Sequence, residues 1–138
     1  MKSPSAIPPP RRNTIIAVDD EDTVLALMVE VLEEMGFDAI GATRADEALA
    51  LMASNHPVDM LVTDVRMPGM SGVDLARKVR EGHPTIPVLF VTGYATELEC
   101  GTRRLLDDAA MLTKPFTLDT FAQTIRRMIC TRQGGVNP

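Results

Sequence analysis

Short apolar runs and longer segments with helical periodicity alternate five times along the chain. The short runs are typical of buried β-strands, and they predict strands at 14–18, 37–42, 58–63, 86–91 and 109–113. Apolar residues recur at intervals of three and four in the segments between, which predicts helices. The first helix begins near Asp22 and stops at Gly36, the second opens on a capping-box pattern of Thr43 and Asp46, and the third opens at Ser71.

Two further helices are predicted, a weaker one over residues 96–106 and a last one that begins near Thr117. Five repeats of strand and helix predict right-handed crossovers and a parallel sheet with helices on both faces. The fold class is therefore α/β and doubly wound. A flavodoxin-like strand order of 2-1-3-4-5 is the natural solution for five strands.

The length of 138 residues suits one domain. Residues 1–13 form a proline-rich segment that we expect to be a flexible tail, residues 14–131 the folded domain, and residues 132–138 a flexible C-terminal end. A net charge of −5 argues against a general nucleic-acid binder. No apolar run approaches the roughly 18 residues of a membrane span. Two cysteines without metal-ligand spacing, and no secretory signal, make a reducing, cytoplasmic location the expectation.

Polar residues follow four of the predicted strands at the points where they end. Asp19 and Asp20 end the first strand, Asp64 ends the third, Thr92 the fourth and Lys114 the fifth. The carboxyl ends of parallel strands share one edge of the sheet, where ligands bind, so these side chains should meet in one pocket. Three carboxylates repel one another and require a cation. Hard oxygen ligands suit Mg²⁺.

These residue types predict phosphoryl transfer to a carboxylate. A carboxylate is a nucleophile that forms an acyl phosphate, and such transfer depends on positioning and charge neutralisation. The metal and Lys114 would neutralise the developing charge, and Thr92 could donate a hydrogen bond to a phosphoryl oxygen.

Four segments carry a specific resemblance. They are VDDED at 18–22, DVRMPGMSG at 64–72, VTG at 91–93 and TKPF at 113–116. Together they resemble the two-component response-regulator receiver family, over residues 14 to about 131, and within it the single-domain, chemotaxis-regulator-like members.

The resemblance implies a role for each matching residue. Asp64 would be the phosphoacceptor, and Thr92 and Lys114 would contact the phosphoryl group. Mg²⁺ would be held by the carboxylates of Asp19, Asp20 and Asp64 and by the backbone carbonyl of Arg66. The Lys114–Pro115 peptide bond would be cis, a form tolerated almost only before proline.

One position departs from the family pattern. Receivers usually carry Tyr or Phe three residues before the lysine, as a rotamer switch coupled to the threonine, and this chain has Met111 there. Methionine presents no ring, so the usual coupling is in doubt. Tyr94, two residues beyond Thr92, is a candidate substitute.

The resemblance implies a switch rather than an enzyme, one that assists its own phosphorylation and dephosphorylation. Its partners would be a histidine kinase or phosphotransfer protein and an unidentified downstream protein, with no nucleic acid and no membrane, and the chain would be a monomer or weak homodimer. One alternative is the receiver module of a hybrid histidine kinase. Another is a small aspartate-dependent Mg²⁺ phosphatase, although Arg66 sits where that class needs a second carboxylate. Asp19 and Asp20 could also simply cap the first helix.

Overall fold

The computed structural model describes residues 13–54, 57–93 and 109–134. Residues 1–12 of the predicted tail, the predicted helix over 96–106 and Tyr94 lie outside the described residues. The described part forms one sheet with helices on both of its faces.

All five predicted strands are present and parallel. They are β1 (Thr14–Val18), β2 (Asp38–Ala42), β3 (Met60–Asp64), β4 (Val88–Thr92) and β5 (Ala109–Thr113). The strand order is β2-β1-β3-β4-β5, with every neighbouring pair parallel, which confirms the predicted doubly wound class and order.

Two strands begin two residues later than predicted. Pro87 precedes β4 and has no N–H to donate, although its carbonyl accepts a hydrogen bond from the Leu61 N–H at 3.0 Å. Before β3, the Asp59 N–H donates to the Thr14 carbonyl at 2.8 Å, and the ladder to β1 starts only at Met60. Apolar content alone therefore extended both predictions into the approach to the strand.

Four helices lie among the described residues. They are α1 (Asp22–Glu34), α2 (Ala45–Ala53), α3 (Gly72–Gly82) and α4 (Leu118–Gly134). The predicted stop of α1 is confirmed, because Gly36 has a φ of 98°, a conformation that glycine adopts at no steric cost. The last helix continues past the domain boundary expected at residue 131.

The helix starts test three predictions about caps. The Ser71 start is confirmed, because Ser71 Oγ accepts the Asp74 N–H at 3.1 Å. The capping box at Thr43 is wrong: Arg44 occupies the N-cap of α2 without a side-chain cap bond. Glu47, four residues on, instead accepts the Thr43 N–H at 2.9 Å. The N-cap of α1 is Glu21, so neither Asp19 nor Asp20 holds that position.

Alternate side chains of the central strands enter two apolar clusters, one on each face of the sheet. Ile16, Leu61 and Phe90 pack with residues of α2 and α3. Ile15 and Val62 point to the other face and pack with residues of α1 and α4. Because β1, β3 and β4 are buried throughout, apolar packing fixes the positions of their carboxyl ends.

Candidate functional site

A cavity of about 540 Å³ opens at the carboxyl edge of the sheet. Its walls are formed by Asp20, Glu21, Asp64, Arg66, Gly93 and Lys114. Most of these residues were predicted to meet there. The structure therefore brings the ends of β1, β3, β4 and β5 to one pocket, as parallel pairing requires.

Asp64 is the last residue of β3 and is 6% exposed. The Thr63 hydroxyl donates to the Asp64 backbone carbonyl at 2.8 Å, and the Gly72 N–H donates to the Val65 carbonyl at 2.8 Å. A Cβ on Gly72 would overlap the Asp64 carbonyl, so only glycine lets α3 start this close to the strand. The backbone of Asp64 is thus fixed by neighbours on both sides.

Asp19 and Asp20 follow β1 and differ in burial. Asp19 is fully buried and Asp20 is exposed. The Asp19 N–H donates to the Ala42 carbonyl of β2 at 3.1 Å, and its Oδ1 accepts the Glu21 N–H at 2.9 Å. These bonds hold the turn between β1 and α1 with both carboxylates facing Asp64: one oxygen of each lies within 4.8 Å of the others.

Lys114 connects the carboxylates. Its Nζ lies 3.0 Å from Asp19 Oδ2, 3.1 Å from Asp64 Oδ2 and 3.1 Å from Glu21 Oε1. The Lys114 N–H donates to the Thr92 carbonyl at 2.9 Å, which carries the β4–β5 pairing to the start of the turn. The predicted cis peptide bond between Lys114 and Pro115 is present. One ammonium therefore contacts three carboxylates from two separate parts of the chain, the turn after β1 and the end of β3.

Burial and charge act against each other here. Burial raises the pKa of the Asp19 carboxyl, and this outweighs the hydrogen bond from the Glu21 N–H and the nearby Lys114, which both lower it. For Lys114, burial alone would lower the pKa of the ammonium. The carboxylates of Asp19, Glu21 and Asp64 outweigh burial and raise that pKa above its ordinary value of 10.5. The lysine is therefore a permanent cation at neutral pH, whereas burial opposes the ionised form of Asp19.

The donor set fits a hard divalent cation. Three carboxylate oxygens lie within 4.8 Å of one another, which is within reach of a single ion. Asp19 Oδ2 is buried, and its contact among the described residues is the ion pair with Lys114, so it has lone-pair capacity left. Arg66 also lines this cavity. The mixture of few protein oxygens with an open cavity suits Mg²⁺, which keeps several waters.

Of the remaining predicted positions, Thr92 and Met111 lie among the described residues and Tyr94 does not. Thr92 is buried at the end of β4, and Gly93, the next residue, is the one that lines the cavity. Met111 lies on β5 beside Phe90 and is 38% exposed. Tyr94, the proposed substitute aromatic, lies outside the described residues.

Two residues of the site were missed from the sequence. Glu21 supplies a further carboxylate to Lys114, and Gly72 provides the close approach under Asp64. Glu21 could have been predicted from its position at the end of the first strand, because it directly follows Asp19 and Asp20. The role of Gly72 has no local signal in its sequence spacing.

Comparison with known proteins identifies the family of the chain. The family model of the response regulator receiver domain matches residues 15–126 of the chain. Over 119 residues the chain is 39% identical to the sensor kinase CckA of Brucella abortus, covering 84% of this chain and only 12% of the kinase.

Two solved structures illustrate the likeness in fold. A CheY-like response regulator receiver domain protein from Methanospirillum hungatei has a TM-score of 0.81 at 27% identity, covering 91% of this chain and 99% of that one. The response regulator TrrA of Thermotoga maritima, solved with Mg²⁺-BeF, has a TM-score of 0.72 at 26% identity, covering 84% and 98%. The chain belongs to the response regulator receiver domain family and is a phosphorelay signal-transduction module.

Proposed function

We propose that Asp64 accepts a phosphoryl group from a phosphohistidine, and that Lys114 and Thr92 stabilise the transferred group. The observation that carries the proposal is the contact of 3.1 Å between Lys114 Nζ and Asp64 Oδ2 within a cluster of three carboxylates. A nucleophile beside a fixed cation is the arrangement that this transfer requires.

The chain's own residues account for each part of the step. An oxygen of Asp64 forms a bond to phosphorus while the bond from phosphorus to the donor imidazole nitrogen breaks, and the imidazole keeps the electron pair. Lys114 moves from its ion pair with Asp64 to an ion pair with a phosphoryl oxygen. The negative charge of that oxygen replaces the carboxylate charge that the ammonium contacted before the transfer. Thr92 ends β4 at the same edge of the sheet, and its hydroxyl would donate a hydrogen bond to a phosphoryl oxygen.

Asp19, Asp20 and Asp64, with the backbone carbonyl of Arg66, would hold Mg²⁺. The ion, when bound, neutralises charge on the carboxylates and on the incoming phosphoryl oxygens. Asp19 anchors this set, because it is fully buried and its backbone is bonded to β2. A cation held there would also offset the cost of ionising Asp19 in a buried position.

The partner follows from the chemistry. We propose a histidine kinase or a phosphotransfer protein as the donor and a protein as the downstream target, in a cytoplasmic setting, with residues 14–131 as the receiver. No helix among the described residues is long and apolar enough to cross a membrane. The similarity to the CckA sensor kinase favours a second candidate, the receiver module of a hybrid kinase.

Intact mass spectrometry tests the proposal directly. Wild type incubated with Mg²⁺ and acetyl phosphate should gain one phosphoryl group, and removing Mg²⁺ should abolish the adduct. Asp64→Asn should gain none, whereas Asp119→Asn, a matched change in the first turn of α4, should behave as wild type. A Mg²⁺-dependent adduct on Asp64→Asn, or none on wild type, would refute the role of Asp64.

A further inference from the structure

Glu21 differs from the other two carboxylates that contact Lys114. Its side chain is 61% exposed, whereas those of Asp19 and Asp64 are 0% and 9% exposed. Its Oε1 still lies 3.1 Å from Lys114 Nζ. Among the three carboxylates that contact Lys114, Glu21 is therefore the one that is open to solvent.

The backbone anchors Glu21 at this place. Its N–H donates to Asp19 Oδ1 at 2.9 Å, and its carbonyl accepts the Leu25 N–H at 3.0 Å in the first turn of α1. Both bonds fix the Cα beside the site, so the side chain reaches across the cavity wall to Lys114. The side chain of Glu21 makes its ion pair with a residue 93 positions away in the sequence.

The contact has an electrostatic consequence for the cavity. Glu21, Asp20 and Asp64 line it against the cations Arg66 and Lys114. Small free phosphodonors are anions that have to enter through this opening. An exposed carboxylate there repels them in proportion to their charge, and the repulsion weakens as salt is added.

We propose that Glu21 is a specificity-determining residue that lowers the reactivity of the site toward highly charged, small-molecule phosphodonors. The inference rests on the proposed function of Asp64. With acetyl phosphate, an Asp64 oxygen bonds to phosphorus, the bond between phosphorus and the acetate oxygen breaks, and acetate leaves with the electron pair. Glu21 takes no part in these bonds and acts through its charge alone.

Glu21→Gln tests the charge with little change of shape. The Mg²⁺ affinity of each variant is measured first by calorimetry, and we expect Glu21→Gln to bind Mg²⁺ about threefold more weakly. Phosphorylation rates are then compared at saturating Mg²⁺ by intact mass. Glu21→Gln should react with the dianion acetyl phosphate about threefold to tenfold faster than wild type at low salt. The gain should shrink in high salt and be smaller with the monoanion phosphoramidate.

Glu30→Gln is the matched control. Glu30 is an exposed carboxylate of α1, roughly 12 Å along the helix axis from Asp22. Its replacement should leave both the Mg²⁺ affinity and the phosphorylation rates unchanged. Glu21→Gln rates equal to those of Glu30→Gln, or a gain independent of salt and donor charge, would overturn the inference. The proposed function would survive that result, because it fails only if wild type forms no Asp64-dependent adduct.

Discussion

The ends of β1 and β3 both present carboxylates to the same cavity, but charge contributes more to the contacts at the end of β1 than to those at the end of β3. At the end of β3, Asp64 is fixed by neutral contacts: the Thr63 hydroxyl, the Gly72 N–H to Val65 and the close approach of Gly72. At the end of β1, hydrogen bonds also hold the turn, but two carboxylates, Asp19 and Glu21, contact Lys114, whereas Asp64 is the one carboxylate that contacts it from the end of β3.

The difference separates geometry from electrostatics within one site. Neutral hydrogen bonds and steric contacts depend little on salt, so the position of the Asp64 backbone should be insensitive to ionic conditions. Interactions between charges depend on salt and on bound cations, most strongly where the charges are exposed. The end of β3 therefore sets where the nucleophile is, and the end of β1 sets what charge it meets.

The largest effect should come from Gly72→Ala. The added Cβ overlaps the Asp64 carbonyl, and we expect the free energy of unfolding to fall by about 3 kcal/mol, measured by urea denaturation. The loss should be equal in low and high salt. Gly82→Ala is the control, since a Cβ there meets nothing within 4 Å. A loss of stability no larger than that of Gly82→Ala would show that α3 can shift away from β3.

Lys114→Met should have the next largest effect, and a different character. It leaves Asp19, Glu21 and Asp64 without their shared cation, and we expect a loss of about 2 kcal/mol in Mg²⁺-free, low-salt buffer. Saturating Mg²⁺ should restore most of it, because the ion replaces the missing charge. Thermal unfolding with and without Mg²⁺ measures both the loss of stability and its recovery. If Mg²⁺ stabilises the variant no more than it stabilises wild type, the β1 end is not held by charge.

The fold was predictable to the extent that apolar packing determines it. Strands β1 and β5 have the predicted bounds, and the strand order is the one expected for a doubly wound sheet of five strands. Errors arose where a single backbone group decides, as at Pro87 before β4, which has no N–H to donate. The same applies to α2, where Glu47 bonds to Thr43 in place of the expected Asp46 pattern.

The parts of the site that lie at the ends of strands could be predicted from the sequence. The contact that Glu21 makes with Lys114 was missed. Asp19, Asp20, Asp64 and Lys114 meet because each lies at or just beyond the end of a strand in a parallel sheet. Glu21 follows the same strand end, but its contact with Lys114 also depends on the conformation of its longer side chain, which the position in the sequence does not give.

Asp19→Asn should stabilise the chain at neutral pH. Because burial raises the pKa of Asp19, the folded state binds that proton more tightly than the unfolded state, so the ionised group destabilises the fold above its folded-state pKa. We expect a gain of about 1–2 kcal/mol at pH 7 without Mg²⁺, from removing a buried charge among other carboxylates. The gain should decline as the pH falls through the raised pKa and vanish below the ordinary value of 3.8.

Denaturation across pH 3 to 7 measures this, and Mg²⁺ provides the control. Wild type should gain stability from Mg²⁺ while Asp19→Asn gains much less, because the variant lacks one of the three carboxylates. A variant less stable than wild type at pH 7 without Mg²⁺ would mean that the ion pair with Lys114 outweighs the cost of burial.

The smallest effect should come from Ser71→Ala, at the other end of the comparison. Ser71, one residue before Gly72, accepts the Asp74 N–H with its Oγ at the start of α3. Losing this hydrogen bond should lower the free energy of unfolding by about 0.5–1 kcal/mol. Ser71→Asn keeps a neutral cap and should stay within a few tenths of a kcal/mol of wild type. Because the cap is neutral, the loss should be the same with and without Mg²⁺ by urea denaturation. A loss that changes with Mg²⁺ would mean that the start of α3 responds to the charge in the cavity, so that the ends of β1 and β3 are coupled rather than separate.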